Sequence, residues 1–176
     1  MIKVFLWGMM GSGKSTVAKK LANRLGYSAV DTDQLIEAKT GKRINEIFEE
    51  KGEEYFRLLE EAVLDQVLDM RENLVVATGG GLPCFKSNAS KMLGAGICIY
   101  LVASSDQLVS RLWQSTEKRP LLKDSRGKEA LFKQLESILE ERAPYYEKAT
   151  LKASAMNLDL VSLTGQVRSF QNDLGL

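Results

Sequence analysis

Apolar residues along this chain follow two rhythms. Short continuous runs such as IKVFLW (2–7), LVVA (74–77) and ICIYLV (97–102) read as strands buried on both faces. Longer stretches repeat their apolar positions every three or four residues and read as amphipathic helices. The pattern predicts strands at about 2–7, 28–31, 74–77, 97–102 and 149–155. It predicts helices at about 14–25, 33–40, 44–51, 53–70, 85–94, 105–115, 128–147 and 160–173. Such alternation predicts an α/β fold, a parallel sheet with helices on both faces and ligands at the carboxyl ends of its strands. No repeat, low-complexity tract or linker divides the chain, so residues 1–176 are expected to form one domain. One segment, TEKRPLLKDSRGK (116–128), is charged, proline-interrupted and without period. Alone it reads as a solvated connection; beside a phosphate site it reads as a mobile lid.

A phosphate site is what the first strand leads into. GMMGSGKS places Gly8, Gly13, Lys14 and Ser15 in the spacing G-x-x-x-x-G-K-[ST] between a strand and the helix STVAKKLANRLG. Glycines let the backbone curl until its N–H groups point at phosphate oxygens, and the helix presents its positive end to the same anion. An ordinary glycine turn needs neither the lysine nor the hydroxyl. The motif predicts a nucleoside triphosphate site.

Chemistry-bearing residues then follow each strand. The second strand ends in Asp31-Thr32-Asp33. These residues suit a helix N-cap, and the two carboxylates also suit oxygen ligands for Mg²⁺ and an acceptor for the hydrogen bond of an incoming hydroxyl. Arg57 in GEEYFRLLEE pairs with Glu60 or Glu61 at helical spacing, a surface contact of only ~0.3–0.5 kcal/mol. The third strand runs into Gly79-Gly80-Gly81, more glycine than a plain turn needs, which implies close approach to something small and polar. On the helix ALFKQLESILEERAPYYEKA the apolar stripe Leu131, Leu135, Ile138 or Leu139 continues to Arg142. A guanidinium on an inward face needs an anion, either a structural glutamate or a ligand carboxylate gripped by two parallel bonds. Together these features describe a kinase acting on a small acceptor with hydroxyls and a negative charge.

Composition removes several alternatives. There are 24 Lys plus Arg against 23 Asp plus Glu, so no basic field points to nucleic acid or to an anionic membrane. Histidine is absent, which excludes His-based triads and His metal sites. Cys98 reads as a core thiol and Cys84 as partly exposed, a usage that suits a reducing cytoplasm. The first strand begins at residue 2, which leaves no room for a targeting segment, and no apolar run approaches membrane-spanning length.

In order and spacing, GMMGSGKST, DTD, TG…I…IF…GEEYFRxxE, GGG, RPLL and ERAPYYEKA resemble the shikimate kinase family over about residues 2–149. The resemblance implies a three-layer P-loop NTPase fold of the nucleoside-monophosphate-kinase kind, with a five-stranded parallel sheet in the order 2-3-1-4-5. It implies transfer of the ATP γ-phosphoryl group to the 3-hydroxyl of shikimate, on the route to chorismate and aromatic amino acids. By matching position it implies that Gly11, Ser12, Gly13, Lys14, Ser15 and Thr16 cradle the ATP phosphates, with Lys14 bridging β and γ. Ser15 would hold Mg²⁺, with Asp31 supporting the ion through water. Asp33 would take the acceptor hydroxyls, Arg57 and Arg142 the carboxylate, and the Gly80 N–H, flanked by Gly79 and Gly81, another substrate oxygen. Phe48 and Phe56 would pack on the ring, within a shikimate-binding region of about 32–60. Arg119 in the lid would stabilise the transferring phosphoryl group, and Arg111 would lie against the adenine. Lys14, Asp33 and Arg119 form the implied catalytic set.

The chain departs from the family pattern where Thr150 follows Ala149 in place of the usual Asp, so the region near Asn157 aligns loosely. Trp7 is unusually bulky beside the phosphate loop. The rival readings are another small-molecule kinase such as gluconate kinase, a nucleoside monophosphate kinase, and a catalytically silent ATP-binding regulator. The expected protein is a cytoplasmic monomer whose partners are small molecules, with neither nucleic acid nor membrane among them.

Overall fold

The structure, a computed structural model, describes residues 1–114 and 127–173. Five parallel strands form one sheet in the order β2-β3-β1-β4-β5. They are β1 (Lys3–Trp7), β2 (Ser28–Asp31), β3 (Leu74–Ala77), β4 (Gly96–Val102) and β5 (Leu151–Ser154). Burial follows position in the sheet. Every residue of β1 and β3 is buried, as is the interior of β4, whereas β2 and β5 at the edges are partly exposed. Register is set around β1, which pairs Val4 with Val75 on one side and with Ile97 on the other.

The connections are α1 (Lys14–Leu25), α2 (Thr32–Thr40), α3 (Ile44–Asp69), α4 (Asn88–Ala95), α5 (Ser105–Gln114), α6 (Lys128–Tyr146) and α7 (Leu160–Asp173). Helix α1 buries Val17, Ala18, Leu21 and Ala22, the stripe its spacing predicts. Each fully buried aliphatic or aromatic side chain contributes roughly 1.5–3 kcal/mol, so the stripe rather than helix propensity holds α1 on the sheet. From β1 the chain crosses to the far edge at β2, returns through β3, and then passes to the other side of β1 at β4. The reversal opens a crevice at the carboxyl ends of the central strands, where α/β sheets bind ligands.

Three local features differ from expectation or refine it. The segment 85–94 is not helical from its start: Leu82–Cys84 forms a 3-10 turn, Lys86 has φ 47°, and helix resumes only at Asn88. Asn88 closes this turn, its side-chain amide donating to Leu82 O at 3.1 Å. Helices 44–51 and 53–70 run on as α3, but Gly52 at φ 79°, ψ 177° breaks the helical path between them. Trp7 is wholly buried in the core, with its indole N–H donating to Met92 Sδ at 3.3 Å. Its bulk is taken up in the core, against Met92 of α4.

Candidate active site

The loop after β1 is shaped by its own backbone. Gly13, the N-cap of α1, has φ 90°, and Gly8 has φ 139° with Leu101 O only 2.8 Å from where a Cβ would stand. Only glycine meets both demands. Lys14 is nearly buried and folds back over the loop, donating to Gly8 O and Met9 O at 2.8 Å each. A cation is thus held at the mouth of α1 among main-chain dipoles. Ser15 Oγ donates to Asp31 Oδ2 at 2.6 Å, while Asp31 Oδ1 accepts from the N–H groups of Asp33 at 3.0 Å and Gln34 at 3.4 Å. The N-cap reading of Asp31 is realised through Oδ1, while Oδ2 reaches Ser15 at the start of α1.

The glycine triplet after β3 is explained by what surrounds it. A Cβ at Gly79 would lie 2.2 Å from Glu60 Oε1 and 3.0 Å from Asp33 Oδ1. At Gly80 it would lie 3.1 Å from Arg142 Nη1, and at Gly81 2.2 Å from Arg57 Nη1. The missing side chains make room for four charged groups converging on one turn. Thr32 fastens this turn to the second strand's end, its Oγ1 accepting from Gly79 N at 2.8 Å.

Arg57 comes from α3 beyond the Gly52 break and Arg142 from the last turns of α6. Both are nearly buried. Arg57 donates through Nη1 to Glu60 at 2.5 Å and through Nη2 to Glu53 at 2.6 Å. The expected pairing with Glu60 is present, but Glu60 is fully buried, so the contact is not a surface pair. Burial pushes the Glu60 carboxyl up to about 7; Asp33 adds to the rise, and the Arg57 and Arg142 guanidinia oppose it. Arg142 follows Leu131 and Leu135 on the buried stripe of α6, as the spacing predicts. One turn on, Tyr146 OH donates to Gly80 O at 2.6 Å and ties α6 to the triplet.

These elements enclose one cavity of about 250 Å³. It is lined by Gly11, Gly13, Lys14, Ser15 and Thr16 of the phosphate loop and α1, by Phe48, Phe56, Arg57, Gly79, Gly80, Gly81 and Arg142, and by Asp31 and Asp33. The Phe48 and Phe56 rings face each other across the Gly52 break at 4.6 Å, tilted by 41°. Two aromatic rings, several cations and two aspartates in one lining suit a phosphate anion together with a small acceptor that bears hydroxyls and a negative charge. Ser12 is buried behind the loop and does not line the cavity. Arg111 stands outside it, its guanidinium spanning Gly11 O, Ser12 O and Ala155 O at 3.0–3.2 Å. Arg119 and residues 116–126 of the expected lid lie outside the described residues.

A family model for shikimate kinase matches residues 10–162. The chain belongs to the shikimate kinase family. The match runs past residue 149, where the recognisable motifs end, and takes in β5. The shikimate kinase of Parabacteroides distasonis is 42% identical over 155 residues, covering 88% of each chain. That of Persephonella marina is 42% identical over 154 residues, covering 88% of this chain and 89% of its own. Among solved structures, a shikimate kinase from Acinetobacter baumannii in complex with shikimate superposes with a TM-score of 0.84 at 32% identity, covering 99% of this chain and 94% of that one. A gluconokinase from Sinorhizobium meliloti reaches a TM-score of 0.55 at 18% identity, a likeness of fold alone. Membership makes this chain an ATP-dependent kinase of the shikimate pathway.

Within that family assignment, sequence reasoning missed Glu60, Glu53, Thr32 and Tyr146 as parts of the site. Glu60 is three residues after Arg57 and four before Leu64, which is fully buried. That helical spacing puts it on the inward face and was the available signal. Tyr146 likewise follows Arg142 by four. Thr32 carried no signal, because its partner lies 47 residues away.

Proposed function

We propose that this chain transfers the γ-phosphoryl group of ATP to the 3-hydroxyl of shikimate, with each site residue acting from the place described above. The observation that carries the reading is one cavity lined at once by the phosphate loop, by Asp33 and by the Arg57–Arg142 pair. Lys14 exchanges its two carbonyl partners for β- and γ-phosphate oxygens, so its charge is already at hand when the nucleotide enters. The N–H groups of Gly11, Gly13, Lys14, Ser15 and Thr16 take the remaining phosphate oxygens, while the Ser12 N–H closes the loop on Met9 O. Arg57 and Arg142 grip the shikimate carboxylate, the Gly80 N–H meets a further oxygen, and Phe48 and Phe56 pack on the ring. Asp33 accepts the hydrogen bond of the reacting hydroxyl and aims its oxygen at the γ-phosphorus. As the new P–O bond forms, the bond to the ADP leaving oxygen breaks, and the hydroxyl proton passes toward Asp33. Protein catalysis here is positioning and charge stabilisation.

Mg²⁺ fits the same site. Ser15 and Asp31 offer a hydroxyl and a carboxylate 2.6 Å apart, both hard oxygen donors at the cavity edge. Among the described residues there is no cluster of three or more acidic, His or Cys side chains, so the ion is expected to arrive with its phosphates and waters. When bound with ATP it shields the β- and γ-phosphoryl charge. In this reading residues 1–176 work as one domain, residues 32–60 frame the acceptor, and residues 116–128 act as a lid that carries Arg119 to the transferring group. In this reading its partners are the small molecules ATP and shikimate, and it works as a monomer. No helix among the described residues is long and apolar enough to cross a membrane, and the thiol usage favours a cytoplasmic setting.

A coupled ADP-release assay tests the reading, with shikimate, gluconate and a nucleoside monophosphate offered separately, with and without Mg²⁺. Release that requires shikimate and Mg²⁺ together is expected. Equal or faster turnover with gluconate or a monophosphate would refute the acceptor assignment.

A further inference from the structure

We propose that Arg111 is a positioning residue for the triphosphate grip, and that it acts on the loop's main chain independently of any contact with a base. Its Nη1 donates to Gly11 O at 3.2 Å and to Ser12 O at 3.1 Å, and its Nη2 donates to Ala155 O at 3.0 Å. A phosphate loop works only if its N–H groups face the anion, because carbonyl oxygens turned the same way would repel it. In a trans peptide the carbonyl and the following N–H point opposite ways. Holding Ser12 O toward Arg111 therefore turns the Gly13 N–H away from Arg111, toward the cavity that Gly13 lines. Holding Gly11 O the same way supports the turn in which Ser12 N donates to Met9 O at 3.2 Å.

Helix α5 is pressed against the loop for this purpose. A Cβ at Gly13 would stand 3.4 Å from Arg111 Nη1, and one at Gly11 only 3.0 Å from Leu112 Cγ. Glycine at both positions lets two successive residues of α5 reach the main chain. The bond to Ala155 joins the loop after β5 to the same brace, and Ala155 N is itself anchored on Val102 O at 2.8 Å. The in-plane N–H groups of the guanidinium are engaged by carbonyls, whereas a base would meet the guanidinium through its flat face. Phosphate positioning and a base contact are thus separable properties of one side chain.

The inference rests on the reading of this loop as the triphosphate site, and a ligand without a base separates the two. Isothermal titration of inorganic tripolyphosphate with Mg²⁺, of ATP and of shikimate would be run on wild type, Arg111→Ala and Arg111→Lys. In Arg111→Ala, tripolyphosphate and ATP are expected to weaken by the same factor, about ten- to a hundredfold for charge-assisted bonds lost, with shikimate unchanged. Lysine keeps the charge but cannot span carbonyls on two sides, so it should recover only part of the loss. If Arg111→Ala fails to fold, Arg111→Lys carries the test through its tripolyphosphate loss against intact shikimate binding. Loss of ATP affinity with tripolyphosphate unchanged would overturn the proposal in favour of a base contact alone. Full recovery by lysine would reduce the effect to charge, and an equal loss for shikimate would reduce it to damaged folding; both overturn it. Wild type failing to bind tripolyphosphate would overturn the triphosphate reading first.

Discussion

Replacing Gly81 by alanine puts a methyl group where Arg57 now sits. The backbone there, φ −88°, ψ −13°, suits alanine, so the perturbation is purely one of space. The new carbon would stand 2.2 Å from Arg57 Nη1 and 2.5 Å from its Cζ, against a comfortable separation of about 3.5–4.0 Å. The guanidinium must retreat by roughly 1.5 Å. Being the end of a long side chain it can do so, but not while keeping its 2.5 Å bond to Glu60. Glu60 responds by holding its proton more tightly, which limits the loss below the 3–5 kcal/mol of a broken buried pair. What remains is the displaced grip on the acceptor's carboxylate, about 1.5–3 kcal/mol, or a ten- to hundredfold loss of shikimate affinity. ATP affinity should hold, since the atoms nearest the added methyl group all belong to Arg57. Calorimetry on Gly81→Ala, Arg57→Ala and the double variant supplies the decisive comparison. With Arg57 already truncated the methyl group has room, so the double variant should be no worse than Arg57→Ala. Strictly additive losses, or wild-type affinity in Gly81→Ala, would refute the reasoning.

Arg57→Ala and Arg142→Ala should each raise KM for shikimate by an amount worth about 2–5 kcal/mol while ATP binding stays nearly intact; unchanged shikimate affinity by calorimetry would make both arginines structural. Arg119→Ala should lower kcat by ~10³-fold or more, roughly 4 kcal/mol, with ATP affinity better preserved, and single-turnover rates equal to wild type would remove it from the chemistry. Burial raises Glu60 from its ordinary 4.5 to about 7, so the folded state holds this proton more tightly than the unfolded chain. Its contribution to stability is full below pH 4.5 and is lost as pH climbs through 7, an effect of about 3 kcal/mol that Glu60→Gln should abolish. Urea melts at pH 5 and pH 8 check this, and identical pH dependence in wild type and Glu60→Gln would contradict it.

Elements whose signal is local were legible in the sequence. The buried strands, the phosphate loop and the inward stripe ending at Arg142 follow from runs, spacing and period, and the observed sheet order agrees with the family resemblance. Features that depend on residues distant in the chain were not. The triplet Gly79–Gly81 announced a close approach, but its reason is side chains from α2, α3 and α6. Lys86 at φ 47° carries no glycine or asparagine to advertise a left-handed backbone, so the delayed start of α4 was invisible. Glu60 was misjudged because helical spacing to Arg57 is compatible with a pair at the surface or in the core; burial decides, and burial is a tertiary property.

The break at Gly52 makes the proposed acceptor wall a two-part construction. Phe48 belongs to the segment before it, while Phe56, Arg57 and Glu60 belong to the segment packed into the core by Val63, Leu64 and Val67. An engineer seeking a kinase for a different hydroxy acid therefore has a natural graft point. Exchange of the 44–51 segment between homologues, with glycine retained at 52, recasts one wall of the pocket and leaves the proposed carboxylate clamp, its buried glutamate and the sheet untouched.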